Sequence, residues 1–507
     1  MSTTHDDPGG RLRRNVYALL IAIGTGAMLG RILAVDAVDQ TAIEDYRFNR
    51  ELAVKVKKLQ DMGLEGARYD RALEREKQRL RELLPRLRRP FLSGNDRSRF
   101  CAVRALVEDD LRVPGHPYSI DRVIQQPTWD TIDMVKHDGH LYSSKPPLFP
   151  TIMAAEYWVI NRLTGMTLGS HPFVVGRFMV VTFNLVPLLI YFVLLARLVE
   201  RFGTTDWGRM FVMGAAVFGT FLSTFVVVIN NHLPAAISAL VALYAAVRIW
   251  FDGDRRWRYF AIAGLFAALT AANELPALAF FGLLSLALLW KHPLRTLSGY
   301  VPAAAVVAAA FLLTNWIAHG DLRPPYLHRS LENPEDNWYD YTYERNGETY
   351  ESYWNNPVGV DLGEPSPVFY AMHILVGHHG IFSLTPVWVL AFAGIGMWLY
   401  SGPDRRLREL AVLIGVVTLA CLAFYLTRPE HHRNYGGMTS GLRWMFWFTP
   451  LWLVAMLPAA DAMAQRRWTR AVALVLLAAS AVSASYPVWN PWTHPWMMDF
   501  MNYLGLR

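Results

Sequence analysis

The sequence predicts an all-α polytopic membrane protein of about eleven transmembrane helices, with juxtamembrane helices and a small β-hairpin near 339–354 on its outer face. Three observations lead there. The 507-residue chain is 53% hydrophobic and holds 18 Trp. Stretches such as Ala303 to Ala318 and Ala411 to Leu426 carry no charge, whereas a soluble chain would show alternating polar faces. Asn346-Gly347 lies between two aromatic-rich runs, the strongest short-range hairpin signal. The net charge of +7 does not call for a nucleic-acid partner, because basic residues in membrane proteins gather on cytoplasmic loops and set orientation. Cys101 in a polar region and Cys421 in an apolar span are the only cysteines, too few and too differently placed for a disulfide framework or a thiolate metal site.

The first unit, 1–35, is a polar tail, then Arg11, Arg13 and Arg14, then an apolar run from Val16 to Leu29. A secretory signal begins the same way, but the many later spans favour a retained anchor whose arginines stay in the cytoplasm. The next unit, 36–172, is therefore expected outside. Within it, 39–90 reads as charged helices, with Leu73, Leu80, Leu84 and Leu87 among Arg71, Arg75, Lys77, Arg79, Arg81, Arg86, Arg88 and Arg89. That pattern suits a solvated helical hairpin, the alternative being a basic arm on anionic headgroups or an anionic acceptor.

Spans 2–7 occupy 173–318, at 173–197, 208–229, 233–250, 257–273, 275–290 and 298–318. Spans 8–11 occupy 383–485, at 383–401, 407–427, 442–460 and 467–485. The stretch 147–163 is interrupted by Pro150, Glu156 and Arg162. If it does not cross, five basic loops fall inside: Arg197-Arg201-Arg209, Arg255-Arg256-Arg258, Lys291-Arg295, Arg405-Arg406-Arg408 and Arg466-Arg467-Arg470. If it crosses, all five fall outside. It is therefore read as a helix in the outer interface. The 319–382 loop and the 486–507 tail then also lie outside. In that loop, a turn at Asn346-Gly347 pairs Arg345 with Glu348, Tyr343 with Tyr350, Tyr341 with Ser352 and Tyr339 with Trp354, all on one face. That aromatic face either packs on the protein or interface or stacks on a sugar or acceptor.

The outer side collects an acid, Asp96 in Asn95-Asp96-Arg97-Ser98-Arg99, and a cation, Lys145 in Lys145-Pro146-Pro147-Leu148. Alone, Asp96 reads as a carboxylate stabilising the start of a helix, and Lys145 as an interfacial lysine before a Pro-tolerant helix start. Asn230-Asn231-His232 and Asn273-Glu274 sit at span ends. The asparagines read first as caps, and His232 stands evenly between capping and facing a donor sugar. Asp130, Asp133, His137, Asp138 and His140 surround a turn dipeptide, Asp138-Gly139, and match no strong zinc spacing. His378-His379 and His431-His432 read as exposed pairs whose adjacent side chains diverge.

The order of a first span, an acidic motif followed by Arg, and Lys-Pro-Pro-Leu opening an interfacial helix resembles the integral membrane glycosyltransferases of the GT-C superfamily. The branch it is most similar to contains the protein O-mannosyltransferases and the lipid A aminoarabinose transferases. Two later stretches look alike as well: Gly380-Ile381-Phe382-Ser383-Leu384-Thr385-Pro386, and Gly436-Gly437-Met438-Thr439-Ser440-Gly441-Leu442-Arg443-Trp444. The resemblance implies an inverting transfer from a polyprenyl-phosphate sugar to a lipid, glycan or protein acceptor. It implies Asp96 as catalytic base and Lys145 as ligand of the donor phosphate, with Arg443 as a second, bidentate cation. Arg99, His232, Glu274 and Tyr142 are the candidate substrate-binding residues. The bare chemistry agrees: the acceptor hydroxyl needs a base, while the departing phosphate is already an anion and needs cations. Glycoside hydrolysis would require two carboxylates instead. Asn95 and Ser144 stand where relatives carry acids, so a divalent metal has thin support and its identity stays unknown. The rival reading is a transporter or flippase of lipid-linked or polar substrates, which would show two similar halves and charges at mid-membrane. A scaffold using the 39–90 helices would not depend on Asp96.

Overall fold

The computed structural model describes residues 8–35, 41–83, 91–402, 404–487 and 489–506. Leu84, Arg86, Leu87, Arg88 and Arg89 of the expected arm lie outside the described residues. The chain is predominantly helical with two small hairpins. Among the described residues, eight helices are long and apolar enough to cross a membrane by length and composition. They are Gly9–Ala34, Pro172–Phe202, Asp206–Phe225, His232–Trp250, Pro293–His319, Arg405–Leu426, Arg443–Met463 and Arg467–Ser485. The other three expected spans are shorter helices, Trp257–Asn273, Leu275–Lys291 and Trp388–Ser401. The last shortening has a local cause. Thr385 precedes Pro386, is held out of the helical region at φ −132° and ψ 66°, and so separates the Ile381–Leu384 turn from the helix that starts at Trp388. That helix then packs closely on Thr449–Met463 because position 394 is glycine; a Cβ there would collide with the Ala455 carbonyl.

The five basic loops gather at one end of the bundle. Arg13 pairs with Glu200 at 2.6 Å and with Asp206 at 2.5 Å, and Arg201 with Asp252 at 2.7 Å. Arg406 donates to the Phe251 carbonyl at 2.9 Å, and Lys291 pairs with Glu409 at 2.7 Å. Asp461, near the fifth loop, accepts from the Thr204 and Thr205 amides at 2.7 and 2.9 Å. Asp96, Lys145 and both hairpins lie at the other end. There the expected surface stretch forms one helix, Leu148–Thr164, closed by Gly165 at φ 69°. Its buried side meets Gly94–Val107 through Tyr157, whose hydroxyl donates to Glu108 at 2.6 Å. Ile152, Trp158, Val159 and Leu163 are exposed on its other side, the division an interfacial helix needs.

The Asn346-Gly347 hairpin, Thr342–Arg345 with Glu348–Glu351, has the expected register: Tyr343 faces Tyr350 and Arg345 faces Glu348. Its turn residues have φ 52° and 78°, the left-handed pair that a two-residue turn requires. Beyond the strands, Ser352 N–H donates to Tyr341 O at 2.8 Å, and the rings of Tyr339 and Trp354 meet edge-on at 6.0 Å. Asp138-Gly139, expected only as a turn, closes a second hairpin, Met134–His137 with His140–Ser143, at φ 48° and 81°. The two hairpins dock through Tyr341 Oη to Met134 O at 3.2 Å and Trp354 Nε1 to Ile132 O at 3.0 Å. The described part of the arm is a helical pair, Thr41–Asp61 and Gly66–Leu83, with Leu80 buried.

The two-ended arrangement is checked with an impermeant thiol reagent on sealed vesicles. The native Cys101 and Cys421 are buried and stay silent. Arg255→Cys and Arg405→Cys are expected to label from the same side, and Gln126→Cys from the opposite one. Labelling of positions 126 and 255 from one side would overturn the arrangement.

Candidate active site at the hairpin end

The acid helix is started by Ser93, whose hydroxyl accepts from the Asn95 and Asp96 amides at 3.1 and 3.2 Å. Asp96 then divides its carboxylate. Oδ2 accepts from the Leu92 amide at 3.3 Å, the expected helix-start role. Oδ1 is buried and makes no hydrogen bond of normal geometry, with the Trp492 indole as the polar group beside the carboxylate. Burial pushes the Asp96 carboxyl up to about 7, against the opposing pull of Arg99 and Arg97. One turn on, buried Arg99 donates to the Asn95 carbonyl at 3.1 Å and to its side-chain oxygen. Its other arm reaches Asn231 Oδ1 at 2.7 Å.

The first hairpin delivers the cation. Folding at Asp138-Gly139 brings Asp133 opposite Ser144, whose amide donates to Asp133 O at 3.1 Å, and next to Lys145, whose Nζ donates to Asp133 Oδ1 at 2.7 Å. The Ser98 hydroxyl, on the acid helix, donates to Asp133 O at 2.5 Å and meets Ser143 Oγ at 2.6 Å, which locks strand and helix together. Burial alone would raise the Asp133 carboxyl, but Lys145, with Arg443 and Arg99 beyond it, holds it below the usual range. Lys145 is lowered, first by burial and then by Arg99 and Arg443, against the pull of Asp133.

The span ends complete the cluster. Pro172–Phe202 contains a wider turn at Val181–Leu185 that aims Asn184 at the Val226 and Val228 carbonyls, both at 2.8 Å. This pins the approach to Asn230-Asn231-His232. Asn230 caps as expected, accepting from the Leu233 amide at 2.9 Å. Asn231 does not cap; besides Arg99, it donates to Glu274 Oε1 at 2.6 Å and Asn273 O at 2.9 Å. His232 Nδ1 hydrogen-bonds the same Glu274 oxygen, and its Nε2 faces Arg443 Nη1 at 3.1 Å. An Nδ1–H tautomer satisfies both contacts. Arg443 also donates to Gly436 O at 2.7 Å. Gly436 and Gly437 sit at φ 94° and 79°, and a Cβ on Gly436 would stand 3.1 Å from Arg443 Nε, so the Gly-Gly pair makes the room that the arginine uses. The tail crosses over this point. Trp492 lies under the Arg443 guanidinium at 4.9 Å, and Ser440 N–H donates to Pro491 O at 3.1 Å.

Asp96, Arg99, Lys145, His232, Glu274 and Arg443 thus belong to one network, and Tyr142 does not. Strand residues alternate faces, so Ser143 turns to Ser98 while Tyr142 turns away. Its hydroxyl pairs with His116 Nδ1 at 3.1 Å, and its ring meets His319 edge-on at 5.0 Å. His378 and His379 are buried, not exposed, with their Nδ1 atoms 2.5 Å apart. Sequence reasoning missed the roles of Asp133, Asn231 and Trp492. It also missed Asp361, which accepts from Tyr353 at 3.0 Å and Asn434 at 3.4 Å beside the Gly-Gly pair. Among the described residues no group of three or more His, Cys, Asp or Glu is placed to hold a metal ion. The donor chemistry does not suit one either: Asn95 and Ser144 offer no carboxylate, and that of Asp133 is engaged by Lys145.

No family model and no curated protein matches the chain. Among solved structures, it is similar to the Archaeoglobus fulgidus oligosaccharyltransferase in its apo form, at 11% identity and a TM-score of 0.39, over 82% of this chain and 54% of that one. The archaeal oligosaccharyltransferase AglB from the same organism, in complex with an inhibitory peptide and a dolichol-phosphate, gives 13% identity and a TM-score of 0.41, over 81% and 53%. The chain thus spans little more than half the length of these structures.

The Asp96 carboxyl gives a pH signature. An unfolded Asp titrates near 3.9, and the folded group titrates at about 7, so the folded state holds the proton more tightly. That stability is present below about pH 4 and is lost as pH rises through about 7. Melting temperatures measured from pH 5 to 8 are expected to shift progressively in favour of Asp96→Asn relative to wild type. A constant gap across the range would contradict a raised carboxyl.

Proposed function

We propose that the chain is an inverting glycosyltransferase that moves a hexosyl or pentosyl group from a polyprenyl-phosphate donor to an acceptor at the outer membrane face. One observation carries this reading: buried Arg99 and the part-buried Lys145 and Arg443 converge beside the buried Asp96 carboxylate. Like charges buried together are costly unless an anion joins them. A lipid phosphate is such an anion, and it strengthens as a charge when it leaves. The network also holds its cations in place without using them up, since Asn231, Glu274 and His232 orient Arg99 and Arg443.

In the proposed step, Asp96 Oδ1 takes the proton of the acceptor hydroxyl. The acceptor oxygen bonds to the anomeric carbon on the face opposite the phosphate, the carbon–oxygen bond to phosphate breaks, and the configuration inverts. Both electrons of that bond leave with the phosphate, which Lys145 and Arg443 receive. No step uses a metal. In the membrane, the Arg13 end with its five basic loops is placed in the cytoplasm. The hairpin end and the C-terminal tail are then outside, at a plasma or inner membrane.

The test uses purified protein in lipid nanodiscs, radiolabelled polyprenyl-phosphate sugars and a membrane extract as acceptor source. Lipid-linked sugar is expected to be consumed, with a rate that rises to a plateau above about pH 7 as Asp96 loses its proton. Asp96→Asn is expected to lower turnover by about 100-fold or more. Lys145→Gln is expected to cut donor kcat/KM by about 10- to 100-fold, the worth of a charge-assisted contact. Full turnover in Asp96→Asn would remove the base. Passage of intact lipid across a bilayer without cleavage would replace the transferase with a transporter.

A further inference from the structure

A cavity of about 370 Å³ opens at the hairpin end, outside the steps above. One wall is the second hairpin, where the Tyr343 and Tyr350 rings stack across the strands at 5.6 Å. The facing wall is the helical arm, with Glu51, Glu76 and Arg79. The floor is the first turn of the acid helix, at Gly94 and Arg97, together with the strand segment leading into the first hairpin at Ile132 and Met134. Asp133 lies between those two residues and is turned to Lys145. The groove and the reacting cluster therefore share a helical turn and the short segment 132–134.

We infer that this groove binds the acceptor and that the acceptor is a neutral glycan. This rests on the transferase reading above. A sugar ring has an apolar C–H face and a rim of hydroxyls, which tyrosine faces and a lining of carboxylates and guanidinium groups match respectively. Among the described residues of the lining, acids and bases are nearly balanced, with no surplus of cations there for a phosphorylated or sulfated chain. Ionised walls reject acyl chains. An extended peptide would add itself to a strand edge, but the outer edge of Thr342–Arg345 is occupied. Gln125 donates to Glu344 O at 2.9 Å and accepts from the Asn346 amide at 3.3 Å, and Lys136 donates to Thr342 O at 2.8 Å. The arm, which the sequence suggested as a solvated hairpin, becomes the second wall of the site.

The test is saturation-transfer NMR on the full-length protein in nanodiscs. The probes are maltose, cellobiose and α-1,6-mannobiose, with a sulfated disaccharide and a tyrosine-containing hexapeptide as competitors. Tyr343→Ala alters the hairpin wall, and Glu76→Gln, on the exposed arm, alters the facing wall with little effect on folding; melting temperatures report on both. A neutral disaccharide signal is expected in wild type and is expected to weaken about tenfold in each variant. In the transfer assay, acceptor KM is expected to rise by the same factor while kcat stays within about twofold. Preferred binding of the sulfated sugar or the peptide overturns the inference, as does neutral-sugar binding that ignores both variants. If wild type consumes donor but neither variant shifts acceptor KM, the groove fails and the transferase stands. If wild type consumes no lipid-linked sugar, the transferase fails and the acceptor role falls with it.

Discussion

The part-buried contact between Lys145 and Asp133, 2.7 Å long, is the interaction on which the hairpin end of this protein depends. A lone buried lysine would lose its charge, and a lone buried aspartate would gain a proton. Together they remain an ion pair, and they are within electrostatic reach of Arg99 and Arg443. The pair exists because a two-residue turn at Asp138-Gly139 folds one strand back on the other. Ser98 then ties that hairpin to the helix carrying Asp96. A single turn thus sets the position of the cation relative to the acid.

The rest of the molecule separates two chemistries by distance. At one end, arginines and lysines meet carboxylates of neighbouring loops in partly exposed pairs, such as Arg13 with Glu200 and Lys291 with Glu409, which contribute little to stability. At the other end buried Arg99 is held by amide side chains, those of Asn95 and Asn231. Charges fixed this way need little reorganisation when a substrate charge develops, which is the condition for electrostatic catalysis.

What could be read from the sequence was what local rules encode. Apolar runs located the helices, and Asn346-Gly347 set a hairpin register that the structure shows at Arg345 with Glu348 and Tyr343 with Tyr350. Asp138-Gly139 carried the same signal, but the surrounding histidines and aspartates drew attention to the turn and away from its flanking strands, so Asp133 went unassigned. Tyr142 was misplaced because one step along a strand reverses the face. Asn231 stands at a helix start yet serves Glu274 and Arg99, whose positions come from distant parts of the chain. Trp492 under Arg443 is likewise a long-range contact, with no periodicity to announce it. The helix after Pro386 came out shorter because a proline's effect on the preceding residue outweighed an unbroken apolar run.

Of the cluster's carboxylates, Asp133 is paired with Lys145 and Glu274 is bound by Asn231 and His232, which leaves Asp96 for one displacement, not two. The most direct measurement is therefore the anomeric configuration of the product, read by NMR after transfer from a polyprenyl-phosphate sugar of known configuration. Inversion is the predicted result. Retention would require a second, covalent displacement and would contradict the proposed roles of Asp96 as base and of Lys145 and Arg443 as phosphate ligands.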